Sequence, residues 1–200
     1  MNEFNRQSYT YTPLFCEENI WKLIETFYTN KQNTPIATPV DVIFIINRSG
    51  SVAIFNQLAS KGQQPVIWDY HVILSAFIEQ QPVIFDFDSR CAFPASIQSY
   101  FSATFPEKYY SGNHRLMDRF QPRLKCIPAE QYLAFFSSDR SHMKDTLPEN
   151  EFPAYNIIQP ADTRTALSFR NCIDNSCTVH GSKLFKPDEY YQHFLQLMSQ

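Results

Sequence analysis

Residues 65–87 read PVIWDYHVILSAFIEQQPVIFDF, and the fold follows from how that stretch divides. Two apolar runs, Pro65–Ile78 and Pro82–Phe87, flank the polar pair Glu79-Gln80, which is the pattern of an antiparallel hairpin. Alternation along Ile67–Ile73 sets Asp69 and His71 on one face of the first strand. A histidine inside an apolar strand needs partners for its ring nitrogens, and ordinarily a core hydrogen bond supplies them. Across the turn, His71 comes opposite residues 86–89, where Asp86 and Asp88 stand. Facing side chains lie ~5 Å apart at Cβ, so either aspartate can hold the imidazole, and a one-residue slip exchanges them. The pattern leaves the two tied, and solvated strand-end charge is the plainer account of both.

Working outward toward the amino end, Val40–Ile46 is a β-branched apolar run that reads as a buried strand, followed by a turn at Asn47–Gly50 and a shorter strand, Val52–Phe55. Before it lies a polar linker, Gln32–Pro39. Ile20, Leu23, Ile24 and Phe27 recur at helical spacing, so Glu17–Thr29 is an amphipathic helix with two glutamates in its first turn. Cys16 stands at the entrance of that helix. Unpaired N–H groups and the helix dipole favour a thiolate there over a thiol, and the same N–H groups suit an oxyanion hole. The ordinary account of a cysteine is a small buried hydrophobe.

Toward the carboxyl end, helices are expected over Ala95–Phe105, Ala129–Phe136 and from Pro187 to about Met198, with a short strand at Arg123–Ile127. Thr146–Pro160, with three prolines, reads as a long loop. Helices interspersed among several strands argue for an α+β fold around a mainly antiparallel sheet. At 200 residues the chain fits a single domain, residues 1–200, with 1–13 as an irregular arm. Eighteen Phe and eleven Tyr against four Gly favour aromatic packing over glycine-built loops.

A net charge of −3 without a long basic run speaks against nucleic acid as partner. No stretch approaches the ~20 apolar residues of a membrane helix, and residues 1–13 lack the apolar core of a signal peptide. An odd set of five cysteines without such a leader points to free thiols in a reducing, cytoplasmic or nuclear compartment; a monomer is expected. Cys172, Cys177 and His180 have a zinc-like spacing without a nearby fourth ligand, so no metal is expected; a Cys172–Cys177 disulfide is disfavoured in that compartment.

Cys16, His71 and an aspartate of the hairpin follow the Cys–His–Asp order of papain-like and transglutaminase-like enzymes. The chain also carries Cys16-Glu17-Glu18-Asn19-Ile20-Trp21-Lys22-Leu23, Pro65-Val66-Ile67-Trp68-Asp69-Tyr70-His71-Val72, Phe85-Asp86-Phe87-Asp88, Phe93-Pro94 and Ser138-Asp139-Arg140-Ser141-His142-Met143-Lys144-Asp145. In that order these blocks resemble the protein N-terminal glutamine amidohydrolases of the N-degron pathway, up to about residue 160. Two departures accompany the resemblance: a short arm before Cys16 and a weak match over 161–200.

The resemblance implies a transglutaminase-like or papain-like α-β-α sandwich, Cys16 as nucleophile, His71 as base and Asp86, not Asp88, as the orienting carboxylate, with no metal or organic cofactor. It implies N-terminal-glutamine proteins or peptides as substrate. Reading their α-ammonium calls for an acidic group, and Glu18, Asp69 and Asp139 are candidates; helix-start electrostatics accounts equally for Glu18, and a loop cap for Asp139. Trp68 packs under the nucleophile or is a core aromatic. His142 is a second functional histidine or, more simply, a structural one. A thiol protease or an acyl transferase on the same scaffold, or an inactive module binding N-terminal glutamine, are the competing readings.

Overall fold

The computed structural model describes residues 4–29, 37–176 and 178–197. In chain order the elements are α1 (Cys16–Thr29), β1 (Ala37–Ile46), β2 (Val52–Ile54), β3 (Val66–Trp68), β4 (His71–Ile78), β5 (Gln81–Phe85) and β6 (Ala95–Ser96). They continue with α2 (Ile97–Thr104), α3 (Glu107–Tyr110), β7 (Arg123–Pro128), α4 (Ala129–Phe135), β8 (Phe136–Ser137), β9 (Leu167–Ser168), α5 (Phe169–Ile173), β10 (Lys183–Phe185) and α6 (Pro187–Leu197). The main sheet has six strands in the order β10-β7-β1-β4-β5-β6, every neighbouring pair antiparallel. The chain is thus mixed helix and mainly antiparallel sheet.

β1 is a continuous apolar run because both its faces are covered. Val42, Phe44 and Ile46 join Val72, Leu74 and Ala76 of β4 on the face where α1 and α4 pack. Ile43 and Ile45 join Ile73 on the opposite face, with Tyr100 and Phe101 of α2 and Tyr190 and Phe194 of α6. α1 is seated by Ile20, Leu23 and Ile24, all at most 1% exposed; each contributes ~1.5–3 kcal/mol by leaving water. α6 is fastened by a polar contact as well: Tyr190 Oη lies 2.7 Å from Ser75 Oγ and donates to Asp41 Oδ2 at 2.9 Å.

Three expectations change. The run Pro65–Ile78 is not one strand: it breaks at Asp69-Tyr70, with β3 pairing to β2 in a separate two-stranded ribbon while β4 enters the main sheet. The amino-terminal arm is docked in place: Arg6–Ser8 form a 3-10 turn and Phe4 is buried edge-on against Phe27 and Phe85. Of the linker Gln32–Pro39, residues 37–39 already belong to β1, and the rest lies outside the described residues.

Candidate active site

Leu14 adopts a left-handed conformation (φ 67°), which lifts the chain into the first turn of α1. Asn19, buried in that turn, reaches back and clamps residue 12: its Oδ1 accepts from the Thr12 N–H and its Nδ2 donates to the Thr12 carbonyl, both at 2.8 Å. Phe15 is fully buried, edge-on to Phe152. Cys16 is therefore presented at a braced helix entrance, part-buried, with the Val72 backbone N–H near enough to its Sγ to favour the thiolate.

The expected thiolate preference is not met. Burial, then the Glu17 and Asp88 carboxylates, push the Cys16 thiol well above its ordinary range, and the Val72 N–H offsets only part of this. Glu17 Oε2 stands 3.7 Å from Sγ and accepts the thiol proton. Desolvation and two nearby carboxylates outweigh the half-charge of the helix end.

Val72 follows His71, so the sulfur sits against the start of β4, where the imidazole is mounted. His71 is 2% exposed and its Nε2 lies 2.8 Å from Asp86 Oδ1. Asp86 thus engages the ring through Nε2 and not through Nδ1. Asp86 is buried and fully engaged: Tyr100 Oη donates to Oδ2 at 2.7 Å, and the Asp88 N–H to Oδ1 at 2.9 Å. Burial alone would raise Asp86, but His71 and these donors hold it below the usual carboxylate value; burial alone would lower His71, and Asp86 more than reverses that.

The tie between the aspartates resolves through a detail that alternation does not contain. β4 pairs with β5 in the register Leu74↔Phe85, which, continued, sets Asp88 opposite His71. β5 stops at Phe85 because the next residues are taken by the chain near Asn56: Leu58 N donates to Asp88 O, Arg90 N to Asn56 O, and Gln57 bridges Ser89. Released from the ladder, Asp86 folds back onto His71. Asp88, part-buried, instead accepts from Tyr11 of the arm at 2.6 Å. The His71, Asp86 and Asp88 ligand atoms lie within 4.8 Å of one another, a spacing metals use, but protein donors already occupy these carboxylates.

Trp68 packs on the imidazole, the ring centroids 4.9 Å apart. Asp69 is exposed at the β3–β4 break, so strand alternation does not tie it to His71. Glu18 is fully buried and consumed: Arg140 grips it through Nε and Nη2, both at 2.9 Å, and Ser138 Oγ donates at 2.7 Å. Asp139 is exposed and caps its own loop by accepting from the Ser141 N–H at 2.9 Å, which lowers its pKa. His142 stacks on Phe169, its Nε2 3.5 Å from Glu17 Oε1. Tyr100 and Tyr11 went unnoticed in the sequence; Asn19 and Arg140 lay inside quoted blocks without a role being read for them.

Away from this site, a broad cleft lined by Arg48, Phe101, Tyr110, Arg123 and Tyr191 contains none of these residues. The zinc and disulfide readings turn on Cys177, which lies outside the described residues; Cys172 is fully buried, and His180 stacks on Phe135. Cys16, Cys91 and Cys126 are free thiols. Among the described residues no helix is long and apolar enough to cross a membrane.

The family model of N-terminal glutamine amidase matches residues 11–194, which extends the likeness through the tail where the quoted blocks had thinned out. A protein N-terminal glutamine amidohydrolase of Danio rerio is 35% identical over 190 residues, 92% of this chain and 88% of that protein. Those of Bos taurus and Homo sapiens are each 34% identical over 166 residues, 82% of this chain and 77% and 78% of theirs.

Proposed function

Because the chain belongs to the N-terminal glutamine amidase family, we propose that it hydrolyses the side-chain amide of a glutamine at the amino terminus of a protein or peptide, leaving glutamate and releasing ammonia. The observation that carries the reading is the buried His71–Asp86 pair at 2.8 Å, with the backbone N–H of the next residue near the Cys16 sulfur. Neutral His71 takes the thiol proton through Nδ1 as Sγ attacks the carboxamide carbon. The proton then passes to the nitrogen, which leaves as ammonia, and a thioester remains; water, deprotonated by His71, releases glutamate and the thiol. Asp86 fixes the tautomer and stabilises the imidazolium. Free N–H groups at the start of α1 serve the oxyanion.

The sandwich, with its nucleophile at a helix entrance and its base on the adjoining strand, is of the transglutaminase-like kind. We assign the substrate ammonium to Asp69, which keeps an exposed carboxylate two residues before His71, or to Asp88, which lies close enough to the sulfur to raise its pKa. Glu18, gripped by Arg140, is dropped from that role, and Asp139 is left to its loop. The protein acts as a monomer in a reducing, cytoplasmic compartment, consistent with its free thiols.

The test is ammonia release and product mass with Gln-initiated, Asn-initiated and internal-Gln peptides. Release confined to the Gln-initiated peptide is expected, with Cys16→Ala inactive. Equal release from internal glutamine, or activity surviving in Cys16→Ala, overturns the reading. Backbone cleavage would mark a thiol protease, amine incorporation a transferase, and tight binding without turnover an inactive module.

A further inference from the structure

We propose that Glu17 is the residue that distinguishes amide from acid at the nucleophile, accepting a hydrogen bond from the NH2 of the substrate carboxamide and turning the carboxylate product away. The inference rests on the deamidation reading and deepens it.

Glu17 has no exposed surface. Its Oε2 accepts from Tyr70 Oη at 2.9 Å and stands 3.7 Å from Cys16 Sγ, while its Oε1 is buried without a hydrogen-bond partner, 3.5 Å from His142 Nε2. Tyr132 Oη fixes the backbone by donating to the Glu17 carbonyl at 3.1 Å. Helix-start electrostatics does not explain this placement. A carboxylate in an exposed first turn is worth ~0.3–1 kcal/mol, whereas sealing one from water is costly unless it is fully bonded. Here one oxygen is short of a partner, and the charge faces the thiol that the reaction must deprotonate.

What the placement offers is an acceptor at the reacting carbon. A carboxamide carries an NH2 with two donors; the glutamate product, once ionised, only accepts. A carbon bonded to Sγ brings its nitrogen within reach of Oε2, where the resting thiol's own proton now sits. With NH2 on Glu17, the carbonyl turns toward the N–H groups of the helix entrance. After attack the nitrogen takes the proton from His71 and becomes cationic, beside a preorganised carboxylate, before the C–N bond breaks to ammonia and thioester. Hydrolysis then leaves two carboxylates facing each other, and the product is repelled.

The experiment uses the full chain and its Glu17→Gln variant. It measures kcat and KM on a Gln-initiated peptide and the inhibition constant of the matching Glu-initiated peptide, with circular dichroism as a check on folding. Glu17→Gln should lower kcat/KM by ~10²-fold and tighten product inhibition by at least ~10-fold, since the substituted amide can donate to a carboxylate. Should Glu17→Gln not fold, Glu17→Asp retracts the charge by one methylene and should move both quantities the same way by less. Lost activity with unchanged or weaker product inhibition overturns the assignment and leaves Glu17 a helix support. An active wild type with an unchanged variant also overturns it, whereas a wild type that releases no ammonia overturns the deamidation reading itself.

Discussion

Burial and the Glu17 carboxylate hold the proton on Cys16, while Asp86 outweighs burial at His71 and keeps that ring protonated above its ordinary 6.5. Both shifts favour a resting site that carries its protons. In the proposed mechanism the imidazole must shed one before it acts as base, so kcat/KM should rise with pH through a value above 6.5. Replacing Asp86 by Asn removes the charge that raises His71, and burial then pulls the limb downward. The same change should cost on the order of 10³-fold in kcat through loss of the held tautomer. Asp88→Asn, which leaves the His71–Asp86 pair intact, should cost far less in kcat, any loss of hold on the substrate ammonium falling on KM. A pH–rate series on the three proteins checks both statements; a limb unmoved by Asp86→Asn would dissociate it from His71.

At the scale of elements, the loop Ser138–His142 is the outer wall of the first turn of α1. Arg140 sits in a left-handed conformation (φ 58°) and, besides Glu18, donates to the carbonyls of Pro153, Tyr155 and Asn156. Arg140→Ala strands Glu18 as a buried, uncompensated charge and should cost ~3–5 kcal/mol, read by urea unfolding. Glu18→Gln, which keeps a partner for Ser138 and Arg140 without the charge, should cost less. That pairing was out of reach of sequence reasoning because its partners are 122 residues apart, and nothing local at Glu18 distinguishes a buried carboxylate from a solvated one. What was legible depended on local pattern: α1, the buried β1, the hairpin turn, the Cys16 entrance and His71. What was not depended on competition between distant segments. Residues 65–78 look like one strand because both halves are apolar, yet β2 claims the first half and β1 the second. Asp86 wins over Asp88 because residues 56–58 draw the chain off the ladder.

At the scale of the molecule, the sheet is a partition with a separate apolar layer on each side. Phe194 is fully buried in the layer opposite α1, stacked on Phe77 at 5.0 Å, and Phe194→Ala should cost ~3–5 kcal/mol. Tyr190→Phe, which strips the hydroxyl from Ser75 and Asp41, should cost ~1–3 kcal/mol. Both should lower the denaturation midpoint while leaving kcat per folded molecule unchanged, as active-site titration under native conditions would reveal. The division has a further meaning for how activity arises. Cys16 arrives with the helix on one side, whereas Asp86 is anchored by Tyr100 on the other. A nascent or heat-loosened chain with one layer undocked therefore has a thiol but no assembled machine. In the proposed reaction, ammonia release should therefore begin only once both layers have closed and end with whichever opens first.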